Sequence, residues 1–505
     1  MSSLPCSSVN GRAATGVAGL DHVLHGGLPA HKLYLVQGVP GTGKTTLAMH
    51  FLMEGVCRGE PVLYVSLSET REEIEMVAAS HGWDLSGVSL FEMTAAEEKL
   101  RSEAETSFFY PSEVELNRTI ETLLAEVERL KPTRVVFDSL SELRLLAETA
   151  LRYRRQVLHL KQHFAGKKTT VMLLDDFSGD QSDQHVQSIA HGVITLERSN
   201  PDYGAARRKV TVEKLRGSPF SEGQHDLVLR PGGMTVFSRL TAGSQATGAP
   251  PERVSSGNAS MDALLGGGLD RGTSTMLMGP PGTGKSTLAA GFAISAAKRN
   301  EKSLLLLFDE LSSTLQRRAT QLGLDLEKHC ASGHVTLRSV DPAAISPGEI
   351  TDSIVRAVKE DKVRLVVIDS LNGFLNSMPE ARLLTLQLHE LLSFLASHGV
   401  ITILILSQQG MVGGQIQAVV DLSYLTDSLI MSRYFESGGA VKLALSVMKK
   451  RSGDHERTIR DYWFGQGGLE MGEPLTQLHG VLSGVPTYVS QPDSPMTPHS
   501  KNAVP

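Results

Sequence analysis

A chain of 505 residues, 41% hydrophobic and 21% charged, carries apolar material for more than one core, and its length predicts two to four domains. The net charge of −6 argues against a protein whose main work is clamping a nucleic-acid backbone, and no run approaches the roughly 18 apolar residues of a membrane helix. Three scattered cysteines, Cys6, Cys57 and Cys330, with no CxxC pair, argue against a disulfide framework or structural zinc and fit a reducing cytoplasm.

The start, Met1-Ser-Ser-Leu-Pro-Cys6, has no basic stretch followed by an apolar one, so no secretory signal is expected. The segment TGVAGLDHVLHGGLP (15–29) returns as SGNASMDALLGGGLD (256–270), and QGVPGTGKTTLA from Gln37 returns as MGPPGTGKSTLA from Met278. Lys44 and Lys285, Asp21 and Asp262, and Glu69 and Glu310 share one offset of 241 positions. The chain therefore reads as a duplicated domain rather than a stack of short repeats. In the first copy, strands are expected at Leu33–Val36, Val62–Leu67, Arg134–Phe137 and Val171–Leu174, with a helix at Thr45–Arg58. Between them, the polar stretch Thr94–Pro111 reads as a surface loop and accounts for the ten residues by which the first copy is longer. In the second copy, strands are expected at Met276–Met278, Leu304–Phe308, Leu365–Ile368 and Ile401–Leu406, with a helix at Ser286–Lys298. Unbroken apolar strands alternating with helices imply an α/β fold, two tandem domains with mostly parallel central sheets. The expected boundaries are 1–240 and 254–490, with a Gly/Ala/Pro-rich linker at 241–253 and a proline-bearing disordered tail at 491–505.

Each copy holds a GxxxxGK[ST] phosphate loop between a strand and a helix. The first contributes Gly38, Gly41, Thr42, Gly43, Lys44, Thr45 and Thr46; the second contributes Gly279, Gly282, Thr283, Gly284, Lys285, Ser286 and Thr287. Glycines let successive N–H groups curl around phosphates, the helix N-terminus faces them, and the lysine reaches the β- and γ-phosphates. ATP is the expected ligand. The hydroxyls of Thr45 and Ser286 and the strand-end carboxylates of Asp138 and Asp369 are the expected holders of Mg2+. Glu69 and Glu310, each just past a strand, are the natural bases, with Asp309 an additional acid in the second copy only. His159 and His163, four apart, could share a metal but lack an evident third ligand, and Arg152–Arg155 (RYRR) reads as an exposed helix face or subunit contact.

The paired phosphate loops, the lead-in GLDHVLHGGLP, VEKLRGSPFSEGQHDL (212–227), LTDSLIMSRYF (425–435) and LHGVLSGVPTYVS (478–490) together resemble the KaiC family of RecA-like P-loop ATPases, over nearly the whole chain. The resemblance implies two RecA-like domains, a homohexamer in two rings with ATP between neighbouring subunits, ATPase activity, and serine/threonine autokinase activity in the second ring. It implies that Lys214 and Arg216, and Lys449 and Arg451, act in trans at subunit interfaces. It places the phosphoacceptors at Ser423 and Tyr424, where the family has Ser then Thr, with Thr426 a reserve hydroxyl. KaiB-like and KaiA-like partners follow from the same resemblance, although the altered acceptor pair and different tail weigh against the second. A RecA/RadA-like DNA-dependent ATPase and a nucleotide-gated scaffold with little chemistry are the competing readings.

Overall fold

The computed structural model describes residues 11–93, 112–176, 186–201, 203–240, 252–376, 381–408, 423–482 and 487–488. The chain divides into two compact units, Met1–Arg239 and Leu240–Pro505. The stretch Thr94–Pro111, the tail 491–505 and most of the linker lie outside the described residues. Arg253, assigned above to the linker, instead opens a two-residue strand, Arg253–Val254, paired with Leu269–Asp270.

The first unit is built on β1 (Leu33–Gly38), β2 (Val62–Ser66), β3 (Ser89–Glu92), β4 (Arg134–Asp138), β5 (Thr170–Asp176), β6 (Gly192–Ser199), β7 (Arg207–Leu215), β8 (Gln224–Arg230) and β9 (Gly233–Phe237). Its nine-stranded sheet runs 3-2-4-5-1-6-7-8-9, and a two-residue pair, Arg12–Ala13 with Leu28–Pro29, stands apart from it. The second unit repeats that order with β10 (Ser274–Gly279), β11 (Lys302–Leu307), β12 (Val335–Ser339), β13 (Val363–Asp369), β14 (Ile401–Ser407), β15 (Ser428–Ser437), β16 (Ala440–Lys450), β17 (Arg460–Gly465) and β18 (Gly468–Pro474), as 12-11-13-14-10-15-16-17-18. In each unit six strands are parallel, as the uninterrupted apolar runs require. The last three add antiparallel through hairpins. This extension was not expected from the sequence. Its strands alternate or mix charged and apolar residues, as in RRKVTVEKL, and lack the apolar run that marks the others.

Both faces of each sheet are covered. In the first unit Leu35, Leu63, Val135 and Phe137 face one core, whereas Tyr34, Val36, Tyr64 and Val136 face the other. That is the period of two expected of a strand buried on both sides. The helix α1 (Lys44–Cys57) buries Leu47, Ala48, Phe51 and Leu52 on the second of these cores, and α2 (Lys285–Lys298) does the same in the second unit with Leu288, Ala289, Phe292 and Ala293. Asp21 and Asp262 anchor the repeated lead-in turn: Asp21 accepts from Thr15 N and Oγ1 at 2.7 and 2.9 Å, and Asp262 from Ser256 N at 2.7 Å.

Candidate functional site

Each phosphate loop leaves the C-terminal end of a central strand, β1 or β10, and runs into α1 or α2. Its glycines are needed for two separate reasons. A Cβ on Gly38 would lie 2.3 Å from Leu196 O, and one on Gly279 would lie 2.2 Å from Ser432 Oγ, so the neighbouring strand could not pack. Gly43 and Gly284 cap their helices in the left-handed region, at φ 103° and 79°. The loop turns on itself so that Thr42 Oγ1 donates to Val39 O at 2.9 Å and Thr283 Oγ1 to Pro280 O at 3.0 Å.

In both units the lysine curls back over the loop. Lys44 Nζ donates to Gly38 O at 2.8 Å, and Lys285 Nζ to Gly279 O and Pro280 O at 2.9 and 2.7 Å. Burial lowers the Lys285 ammonium to about 8, against the opposing pull of Asp369. Thr46 and Thr287 are buried at the first turn of their helices.

The strand-end acids stand where the loops need them. Thr45 Oγ1 donates to Asp138 Oδ2 at 2.8 Å, and Ser286 hydrogen-bonds Asp369. Both acids are followed by a cis peptide bond, Asp138–Ser139 and Asp369–Ser370. Burial raises Asp138 although Tyr64, Thr45 and Lys44 all oppose the shift. Burial likewise raises Asp369 to about 6, with Ser286 opposing and Glu310 and Asp309 adding to the rise. A hydroxyl beside a carboxylate is a pair of hard oxygen donors, the set that suits Mg2+.

The two sites differ around this shared frame. Glu69 is half-buried, and its Oε2 is buried without a hydrogen-bond partner. Burial, then the carboxylates of Asp138 and Glu73, lift it above the usual range. Glu310 is instead gripped by Arg318, whose Nη1 and Nη2 donate to its two carboxylate oxygens at 3.0 and 2.8 Å. The same guanidinium reaches the phosphate-loop helix, Nε donating to Thr287 Oγ1 at 3.0 Å. Asp309, the extra acid of the second unit, lies within electrostatic reach of Asp369.

Other site residues escaped the sequence reading because only one copy has them. Asp176, at the end of β5, pairs with Lys44 at 2.8 Å, and its counterpart is Ser407. Burial would raise Asp176, but the Lys44 hydrogen bond and charge outweigh it and hold the carboxyl low. Tyr64 donates to Asp138 Oδ2 at 2.6 Å, where the second copy has Leu305. Arg208 Nε donates to Gly41 O at 3.1 Å. Arg318 corresponds to Val77. Looking for paired acids finds what the copies share and passes over what they do not.

The residues assigned above to subunit interfaces lie away from their own phosphate loops. Lys214 stands opposite Val193, and Val193 opposite Leu35, so Lys214 sits three strand positions, about 10 Å, from the Gly38 end of β1. It donates to Gln187 O, and Arg216 Nη2 donates to Ser188 O at 2.8 Å. In the second unit Lys449 lies opposite Leu429, which pairs with Met276. Lys449 Nζ donates to Ser423 O and Thr426 O at 3.0 and 2.7 Å, and Arg451 Nη2 to Tyr424 O at 2.8 Å. The two cations thus hold the 3-10 turn Ser423–Leu425 by its carbonyls. Tyr424 is exposed, Ser423 is half-buried, and the Thr426 hydroxyl is fully buried and donates to Ser423 O at 3.2 Å.

The two remaining helix features are part packed and part exposed, Arg155 being exposed and Arg152 and Arg154 half-buried. His163 sits 2.6 Å from Lys167 Nζ and 3.2 Å from Glu128, a carboxylate not evident from local sequence, and Tyr153 of the RYRR run is buried with its hydroxyl on Asp175 at 3.0 Å. Among the described residues no helix is long and apolar enough to cross a membrane.

The family model "ATPase: KaiC" matches the chain twice, over residues 13–241 and 254–475. Relatives similar along almost the whole chain include the circadian clock oscillator protein KaiC of Acaryochloris marina, 26% identical over 94% of this chain and 91% of its own length. The proteins of the same name from Picosynechococcus (26%, 96% of this chain, 95% of its own length) and Parathermosynechococcus lividus (27%, 94% and 88%) are similar to the same degree.

Proposed function

The chain belongs to the KaiC family of ATPases, and from that membership we propose that it binds Mg-ATP at both phosphate loops, hydrolyses it in the first unit, and autophosphorylates in the second as a serine/threonine kinase. Lys44 and Lys285 would turn from their loop carbonyls to the phosphates. Thr45 with Asp138, and Ser286 with Asp369, would hold Mg2+, which neutralises charge on the β- and γ-phosphates. Glu69 would orient the attacking water, and its unpartnered, raised carboxyl suits a base.

One observation carries the kinase reading. The turn bearing Ser423 precedes β15, which begins opposite Thr275 at the far end of β10 from Gly279. The Ser423 turn therefore lies at the end of its sheet remote from its own phosphate loop, so on this reading its donor would be a neighbouring copy. Ser423 Oγ would attack the γ-phosphorus, its proton passing to Glu310 and ADP leaving with the bridging oxygen. Lys449, near the end of β16, and Arg451, just past it, both bonded to that turn, would present positive charge to that neighbour's phosphates. An ATP-dependent homohexamer in the cytoplasm, read out by a KaiB-like partner, completes the proposal.

Incubation with Mg-ATP followed by phosphopeptide mass spectrometry tests it. Phosphate at Ser423, lost in Lys285→Ala and restored when Lys285→Ala chains are mixed with wild-type, is expected. Absence of phosphate at Ser423, Tyr424 and Thr426 overturns the kinase reading and leaves ATP hydrolysis standing. Calorimetry gives the more basic check: Mg-ATP uptake that survives Lys44→Ala combined with Lys285→Ala removes the whole proposal. A second reading, a second unit that binds ATP with little chemistry, is favoured by the Glu310–Arg318 fork.

A further inference from the structure

In the first unit, the space between the phosphate-loop helix and the last hairpin of the sheet is filled by the chain itself. His50 on α1 and Trp83 meet edge to face with centroids 4.9 Å apart, and His50 Nε2 accepts from Met234 N at 2.8 Å. The fit leaves no room: a Cβ on Gly233 would stand 2.1 Å from His50 Nε2 and 2.5 Å from Trp83 Cζ2.

At the corresponding positions of the second unit, 241 residues on, stand Gly291 and Leu324. The hairpin itself is preserved. Gly232 and Gly233 (φ 97° and 112°) match Gly467 and Gly468 (φ 103° and 111°). What differs is the filling. A Cβ on Gly291 would meet nothing within 4 Å, and one on Gly468 would meet only Leu324 Cδ2, at 3.1 Å. The result is a partly open pocket of about 170 Å³ against Gly291, in which Thr287, Asn258 and Ser295 join Leu288, Phe292 and Leu324 in the lining.

The polar atoms around this cavity already have partners. Asn258 Nδ2 donates to Leu469 O at 2.7 Å and its Oδ1 accepts from Met261 N at 2.9 Å, while Ser295 Oγ donates to Ser255 O at 3.1 Å. These bonds hold the polar side chains in place, and a ring would pack on the apolar part of the lining, Leu288, Phe292, Leu324 and Phe464. At the rim stands Lys298, exposed and without an ion pair among the described residues.

We infer that the second unit carries a binding pocket, closed in the first, for a small aromatic acid. A flat bicyclic ring of indole size would occupy the volume that His50 and Trp83 fill in the first unit, its carboxylate directed to Lys298. The first copy supplies the template for the shape, since the same backbone frame there holds an imidazole packed against an indole. The assignment is independent of the phosphorylation proposed above.

The test uses the full chain saturated with Mg-ATP, with indole-3-acetate and indole as probes followed by calorimetry. Indole-3-acetate is expected to bind once per chain. Gly291→His combined with Leu324→Trp, which imports the first unit's pair, is expected to weaken it by at least about tenfold. Lys298→Gln should erase the advantage of indole-3-acetate over indole. Because the double variant could fail to fold, Gly291→Leu, which enters open space, must give the same loss with an unchanged melting transition. Three results overturn the inference: no binding of either probe at millimolar concentration, binding that appears only when Mg-ATP is left out, or binding indifferent to both filling variants.

Discussion

Replacing Arg318 by valine, the residue at the corresponding place in the first unit, is expected to activate the second site. Arg318 holds both carboxylate oxygens of Glu310 at 2.8 and 3.0 Å, and the pair is partly exposed, 38% for Arg318 and 19% for Glu310. A bidentate charge-assisted pair in that setting is worth about 1–2 kcal/mol after solvent screening. As the proposed base, Glu310 would have to give up those bonds to orient a nucleophile, so their removal should lower the barrier by the same amount where chemistry limits turnover. The expected gain is about 5- to 30-fold in turnover. Phosphate release and Ser423 phosphorylation would be measured in a chain whose first site is silenced by Glu69→Gln. Loss of the Arg318 contact to Thr287 should raise KM for ATP only a few-fold. Turnover that falls tenfold with KM unchanged would refute the reasoning, because it would mean that Arg318 stabilises transition-state charge instead of restraining the base.

Asp176→Ser, importing the second unit's Ser407, frees Lys44 from an ion pair whose carboxylate is 44% exposed. Such a pair contributes at most about 1 kcal/mol, so first-site affinity for Mg-ATP should tighten by about two- to fivefold in a Lys285→Ala background; weaker binding would assign Asp176 a direct role in holding the ligand. His50 is held neutral in the fold, burial and then His81 lowering it to about 4. The unfolded chain takes up that proton first, near 6.5, so the first unit should lose up to about 3 kcal/mol as pH falls from about 6.5 to about 4, and level off below. Trp83 fluorescence in a Trp463→Phe chain reports the titration, and an acid limb that persists in His50→Gln contradicts it. Arg134 is 1% exposed and donates to Ala14 O, Phe51 O and Glu60; Arg134→Leu strands those acceptors and should cost about 3–5 kcal/mol in a denaturant melt, whereas a change under 1 kcal/mol would show that the site relaxes.

The parallel half of each sheet was legible because its strands are buried on both faces and read as apolar runs, from Leu33–Val36 to Ile401–Leu406. The antiparallel half was not, because strands such as β7 and β16 are edge-ward and part-exposed, with lysines and arginines that look like loop. In the candidate site, spacing alone pointed to residues that the fold brings together in both copies: the loop glycines, Lys44 and Lys285, Asp138 and Asp369. It could not reach Arg318, Asp176 or Tyr64, whose partners come from other elements and whose counterparts are Val77, Ser407 and Leu305. Nor could it tell that Glu69 and Glu310, alike in position, differ in state, since one has a carboxylate oxygen without a partner and the other is clamped.

The placement of the Ser423 turn at the end of the sheet remote from Gly279 has a kinetic corollary. On the proposed transfer to Ser423, a lone chain could not bring that turn to its own phosphate loop, so dilution alone should silence the reaction. Its rate should climb more steeply than protein concentration until neighbours are saturated, which would give the molecule a sense of its own abundance.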